Sequence, residues 1–248
     1  MPNDLRLAFF GTAAGFPTVV RHHTTSIGLW RGEELYLFDA GDGAAGQFAC
    51  MGVAPDAVRA IFITHLHADH VSGLAALVQW MQLNRRRAPL LIYAPEHSLA
   101  GLREYLRLVH LYPMEQFNLE FRPVSSGVVH QETGFEVTAL HSHHLEDGQA
   151  FSYFVAADSK TIYFSGDLGG PEEAAKQAES AEIAVVELAH FTAEELGAAL
   201  SASGLLRLIV THINDDFEPF EDEIPARIRS MGFQGEIIVA RDGDEFPL

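Results

Sequence analysis

Apolar, β-branched runs alternate with segments of helical spacing from one end of the chain to the other. Residues 5–10, 26–31 and 34–39 read as short strands bounded by Gly, Pro or Thr. A fully apolar strand is expected at 60–64, and the segment 71–83 after it repeats Val71, Leu74, Leu77, Val78 and Met81 at helical intervals. A strand at 90–93 and a helix over 98–110 follow. The second half predicts β-structure at 119–122, 135–140, 151–156 and 161–164. Beyond those, helices at 171–181, 192–202 and 221–231 alternate with strands at 182–187, 206–211 and 236–240.

Strand-rich hairpin segments mixed with strand–helix units predict an α/β architecture with helices covering sheet faces. No sequence repeat, low-complexity tract or linker interrupts the pattern, so one domain over residues 1–248 is expected. That length suffices for a sizeable core. A composition 48% hydrophobic and 20% charged excludes a disordered or collagen-like chain. The single cysteine, Cys50, excludes an intramolecular disulfide, a Cys-rich zinc ribbon and an iron–sulfur cluster. With no N-terminal apolar leader and no apolar run of roughly 18 residues, a soluble, cytoplasmic chain without a membrane segment is expected.

Charge is unevenly spread: the net −18 divides into −1 up to residue 124 and −17 beyond it. An acidic surface repels phosphate, so a long nucleic acid is disfavoured as a partner. The 13 histidines are a more unusual feature than the acidity.

The strongest chemical signal is His65-Leu66-His67-Ala68-Asp69-His70, where an apolar strand ends and a helix begins. Adjacent imidazoles repel when protonated, whereas neutral ring nitrogens side by side suit a divalent metal of the zinc type. A turn there can aim His65 and His67 one way and Asp69 and His70 another, serving two metals. Further donors stand at strand ends: Asp167 in Ser165-Gly166-Asp167, and His212 after Thr211. Taken singly, Asp167 reads as a turn or N-cap residue and His212 as an ordinary strand-end histidine. The run His141-Ser142-His143-His144 offers three histidines for one further ligand place. Arg85-Arg86-Arg87 is either a phosphate contact or a set of helix-end dipole partners.

The chain resembles the metallo-β-lactamase-fold hydrolases, within them the ribonuclease Z-like branch. The resemblance rests on Phe10-Gly11-Thr12-Ala13-Ala14-Gly15-Phe16-Pro17-Thr18, Leu37-Phe38-Asp39-Ala40-Gly41-Asp42-Gly43 and Phe62-Ile63-Thr64 with the histidine run. Gly73-Leu74 and Leu91-Ile92-Tyr93-Ala94-Pro95 extend it, and Tyr163-Phe164-Ser165-Gly166-Asp167 and Val210-Thr211-His212 carry it on more thinly. It implies an αββα four-layer sandwich, a homodimer and two divalent metal ions, zinc first, with manganese or iron as alternatives. His65, His67, Asp167 and a histidine of the third motif would hold one ion. Asp69, His70, Asp167 and His212 would hold the other. Alignment of the preceding strand puts His144 in the third-motif place, with His143 and His141 as alternatives. Asp39 resembles the family's buried carboxylate that orients a ligand histidine. His190 resembles the histidine of a His-Ser-Thr segment that serves as proton donor, and Glu187 resembles a nearby acid. The alternative for His190 is a core or helix-capping histidine.

Two departures bear on substrate. Only 22 residues separate Asp167 from His190, where the family's long tRNA-gripping arm would fall, and the stretch after His212 is acidic. The resemblance therefore implies a hydrolase in which Asp69 orients a metal-activated hydroxide and His190 protonates the leaving group. A small phosphodiester fits the charge as substrate. The alternatives are a tRNA 3′-processing endonuclease, a carboxylic ester, lactone or thioester hydrolase, and a non-catalytic metal carrier or cofactor-handling protein.

Overall fold

A computed structural model describes residues 4–15, 22–146, 148–214 and 218–248. They fall into two compact units, each built on one sheet; the first takes residues 4–15, 22–124 and 241–248, the second the remainder.

The first unit contains β1 (Leu5–Gly11), β2 (Ser26–Arg31), β3 (Glu34–Phe38), β4 (Val58–Phe62), β5 (Leu90–Pro95) and β6 (Leu119–Val124). Its helices are α1 (Ala44–Cys50), α2 (Ala68–Val71), α3 (Leu74–Leu83) and α4 (Leu99–Leu108). The second unit contains β7 (Gly127–Glu132), β8 (Phe135–His141), β9 (Phe151–Ala157), β10 (Lys160–Phe164), β11 (Ile183–Leu188), β12 (Arg207–Ile213) and β13 (Glu236–Val239). It adds α5 (Pro171–Gln177), α6 (Ala193–Leu200) and α7 (Ile224–Ser230), and the chain ends in β14 (Glu245–Pro247), which pairs with β1.

The sheet orders are β14-β1-β2-β3-β4-β5-β6 and β13-β12-β11-β10-β9-β8-β7. Each sheet makes three antiparallel pairings and then three parallel ones, so one strand plan is used twice. Parallel strands present their carboxyl ends along one sheet edge, which is where loops of open α/β sheets collect functional groups. In the first sheet that edge carries the segments after β3 and β4; in the second, those after β10 and β11, with the end of β12.

Burial explains the elements. In β8, Phe135, Val137 and Ala139 are buried while the residues between them are not, the alternation of a half-buried strand. Every residue of β11, and all of β12 except Arg207, is buried, as parallel strands require. The first core packs Leu74, Leu77, Val78 and Met81 of α3 with Phe10, Leu37 and Ile61. The second packs Leu196 and Leu200 of α6 and Ile224 and Ile228 of α7 with Val186, Leu208 and Val210.

The helix expected over 71–83 is broken at Gly73. Gly73 N donates to Ala40 O at 3.0 Å, and a Cβ there would lie 1.8 Å from Gly41 O, so close backbone approach overrides the helical pattern. The pattern also missed α1, β7 and β14. Phe48 of α1 packs on Phe10, with ring centroids 4.4 Å apart, but the helix is only 7 residues long and rich in small alanines, too short for a helical period to register. The edge strands β7 and β14 are largely exposed and lack apolar alternation. Arg86 of the arginine triplet is fully buried: its guanidinium bonds the carbonyls of Pro55, of Val58 at 2.6 Å and of Pro89 at 2.6 Å. Burial lowers its pKa to about 10, which still leaves it charged at neutral pH. Among the described residues no helix is long and apolar enough to cross a membrane.

Candidate functional site

In the first unit, the turn after β4 brings the rings of His65, His67 and His70 together; His65 lies 4.6 Å from His67 and 4.1 Å from His70 between centroids. His65 and His70 are buried, and His67 is exposed. Asp39, 1% exposed and at φ 61°, lies directly after β3. Its carboxylate accepts from Thr64 N at 2.8 Å, from Thr64 Oγ1 at 2.9 and 3.1 Å, and from His70 Nδ1 at 2.7 Å. The Thr64 hydroxyl gives its one proton to Asp39, so at 3.0 Å it accepts from His65 Nδ1. One carboxylate thereby places the proton of both imidazoles on Nδ1 and makes Nε2 the metal-donor atom of each. His70 Nε2 stands 3.8 Å from Asp69 Oδ2. That same oxygen accepts from Gly15 N at 2.8 Å, which ties the glycine-rich turn after β1 to Asp69.

The backbone here is packed too closely for side chains. A Cβ on Gly41 would lie 2.4 Å from Asp69 O, while His70 O accepts from Ala40 N at 2.8 Å. Glycines at 41 and 73 thus let the loop after β3 lie directly on the histidine turn.

In the second unit, Asp167 is the centre. Its Oδ1 lies 3.1 Å from His212 Nε2, and its Oδ2 lies 3.6 Å from His144 Nε2 and 4.0 Å from His190 Nε2. His212 owes its aim to a bulge: Glu187 pairs with Thr211 and Leu188 with Ile213, leaving His212 as the extra residue, at φ 50°. Ser142 holds the histidine loop, donating from Oγ to Asp167 O at 2.6 Å and accepting from His144 N at 3.2 Å. Of the three candidates in that loop, His144 faces Asp167. The His143 side chain is 74% exposed and bonds Glu173, and the His141 ring lies 4.9 Å from that of His143.

Glu187, fully buried at the end of β11, accepts from Leu168 N at 2.7 Å, Ala189 N at 2.9 Å and His190 N at 3.1 Å. It also holds His190 Nδ1 at 2.8 Å, and the His190 ring lies 4.6 Å from that of His144. Asp167, Glu187 and His190 each offer one ligand atom within 4.8 Å of the others. Because the Glu187 oxygens are committed to three backbone N–H groups, it acts as an anchor for the turn and for His190.

Each unit therefore carries imidazole nitrogen and carboxylate oxygen at its sheet edge, with no thiolate; these donors suit zinc, manganese or iron. Sequence reasoning did not find Thr64, Ser142 or Glu173. Thr64 and Ser142 stand inside the motifs quoted above but drew no role, since each of the three works through one hydroxyl or carboxylate aimed at a partner set by the fold.

A family model described as "Beta-lactamase superfamily domain" matches residues 35–213. A ribonuclease Z of Methanothermobacter thermautotrophicus is 28% identical over 88% of this chain and 89% of its own length. Shorter matches to further ribonucleases Z, 35% to 41% identical, span 32% to 49% of those relatives' lengths. Among solved structures, the metallo-β-lactamase fold protein YhfI of Bacillus subtilis superposes with a TM-score of 0.83 at 17% identity, covering 99% of this chain and 100% of that one. The short form of human tRNase Z superposes with a TM-score of 0.76 at 20% identity, covering 97% and 98%.

Proposed function

This chain belongs to the β-lactamase superfamily and has the metallo-β-lactamase fold of a metal-dependent hydrolase, and we propose that it cleaves a small phosphodiester. In this proposal His65, His67, His144 and Asp167 hold one divalent ion, and Asp69, His70, Asp167 and His212 hold a second. The donor chemistry of the two units fits such ions. Divalent metals supply, when bound, an acidified water and neutralisation of charge on the attacked phosphorus centre.

The chain's own residues do the rest. Asp39 keeps His65 and His70 in the tautomer whose Nε2 donates. Asp69, anchored by Gly15 N, orients the attacking water. Glu187 fixes the His190 ring through Nδ1 and offsets its positive charge, and Nε2 delivers a proton to the leaving oxygen.

One observation supports a small substrate most directly. The 22 residues between Asp167 and His190 are all described, and they form α5, β11 and their short connections, with no extended arm. The acidity of residues 125–248 points the same way. A second reading, a tRNA 3′-processing nuclease, is favoured by the ribonuclease Z relatives. A homodimer is part of the proposal by family likeness alone.

Metal content per chain should be measured on the same sample as turnover of bis(p-nitrophenyl) phosphate, p-nitrophenyl acetate and a precursor tRNA carrying a 3′ trailer. Two ions with diester turnover and an untouched precursor are expected. Cleavage of the precursor at its 3′ end would replace the small-substrate proposal with the second reading. Acetate turnover alone would point to a carbonyl ester. Full metal occupancy without any turnover would point to a metal carrier.

A further inference from the structure

Two carboxylates flank Asp167 in the second unit, Glu187 buried and Glu173 partly buried, and the proposed chemistry uses only the first. Leu168 N donates to Glu187 at 2.7 Å, and the next amide, Gly169 N, donates to Glu173 at 3.0 Å. Each carboxylate in turn holds one imidazole by Nδ1: Glu187 holds His190 at 2.8 Å, and Glu173 holds His143 at 2.9 Å. The turn after Asp167 is thus bracketed by two oriented histidines, of which His143 has no assigned task.

The His143 pair is firmly built. The Glu173 side chain is 9% exposed, and besides the ring it accepts from His143 N at 3.1 Å and from Gln177 Nε2 at 3.0 Å. Gln177 in turn is fixed by donating to His141 O at 2.8 Å and by accepting from the Tyr163 hydroxyl at 3.0 Å. A Cβ on Gly169 would lie 2.9 Å from His143 Cβ, so the histidine sits directly over the turn that follows Asp167. The ring nevertheless remains 74% exposed. A carboxylate can only accept, so the Nδ1 proton points inward and Nε2 is the outward atom of the exposed ring, a lone-pair acceptor in neutral imidazole. A fixed acceptor on an exposed ring suits a hydroxyl or N–H donor on a ligand.

Resting on the hydrolase reading above, we propose that His143 is a substrate-positioning residue. Its Nε2 accepts a hydrogen bond from a hydroxyl on the organic part of a phosphorylated substrate, such as a sugar or polyol. The substrate class is accordingly a hydroxyl-bearing phosphodiester, with a hydroxyl-bearing phosphomonoester as one product.

Calorimetric titration of the zinc-loaded full chain tests this independently of turnover, with uridine 5′-monophosphate and its 2′,3′-dideoxy analogue as probes. The wild type should bind the hydroxylated nucleotide about five- to tenfold more tightly, the range of one net hydrogen bond. His143→Asn reproduces the Nδ1 donor to Glu173 but places nothing at Nε2. It should abolish the preference while leaving dideoxy affinity, metal content and thermal midpoint unchanged. No preference in the wild type, a preference surviving in H143N, equal losses for both nucleotides, or loss of metal from H143N would each overturn the proposal. A wild type that shows the preference yet cleaves no diester would overturn the phosphodiesterase reading and the diester substrate class with it, and leave the His143 contact to a ligand hydroxyl standing.

Discussion

Asp39→Asn removes one acceptor atom from the most heavily used carboxylate of the first unit. Oδ1 serves Thr64 N and Thr64 Oγ1, while Oδ2 serves His70 Nδ1 and shares the Thr64 hydroxyl. An asparagine can keep only one side. With its oxygen toward Thr64, the amide NH2 faces His70 Nδ1, whose proton must move to Nε2 and block the metal-donor atom. With its oxygen toward His70, the NH2 opposes Thr64 N–H in a buried site, and the hydroxyl that orients His65 is disturbed as well. An unsatisfied buried donor costs about 1–3 kcal/mol. Loss of such a supporting contact typically weakens metal binding about 10–100-fold, or about 1.4–2.8 kcal/mol. The assay is competitive zinc titration against a chromophoric chelator, with urea unfolding of the metal-free protein run in parallel. D39N should show the affinity loss for zinc whichever way the amide turns, with destabilisation of the metal-free protein when it turns toward His70. Wild-type zinc affinity in D39N would refute the claim that Asp39 sets the two tautomers.

Other substitutions probe separate parts of the molecule. Arg86→Met strands the carbonyls of Pro55, Val58 and Pro89 in the interior, and should cost about 3 kcal/mol, lowering the thermal midpoint by roughly 6–12 °C; an unchanged midpoint would show that the guanidinium is dispensable. Backbone N–H bonds from Ala88 and Arg87 hold the Asp56 carboxyl below the usual carboxylate range. Its contribution is therefore present above about pH 4 and lost as pH falls through the lowered folded value. Asp56→Asn should accordingly cost stability at neutral pH and progressively less on acidification, read from urea midpoints; a cost independent of pH would remove the charge from the account. His190→Ala should keep its metals and slow diesters with poor leaving groups more than those with good ones. An equal slowing across the leaving-group series would rule out proton donation by His190.

Much of this protein was legible in one dimension. The α/β class followed from runs of period two and near 3.6, because burial on one face imposes those periods on any chain. The cluster from His65 to His70 announced itself by donor density alone, since so many imidazoles are costly to keep together without a partner. Asp167 and His212 were visible as donors at strand ends, where parallel strands deliver their side chains to a common edge, whereas Asp39, Glu187 and His190 stood out only through the family resemblance. Other features depended on atoms distant in sequence. The choice of His144 over His143 to face Asp167 rests on Ser142 bridging Asp167 O and His144 N, and on Glu173 capturing the His143 ring. The break at Gly73 comes from the carbonyl of Gly41, and the burial of Arg86 from three carbonyls that only the folded chain assembles. The twofold use of one strand plan left no repeat in the sequence, because pairing direction is a property of backbone hydrogen bonds that many side-chain sets satisfy. Local periodicity and residue chemistry are written along the chain; tautomers, bulges and close backbone approaches are decided by partners that folding brings within about 3 Å.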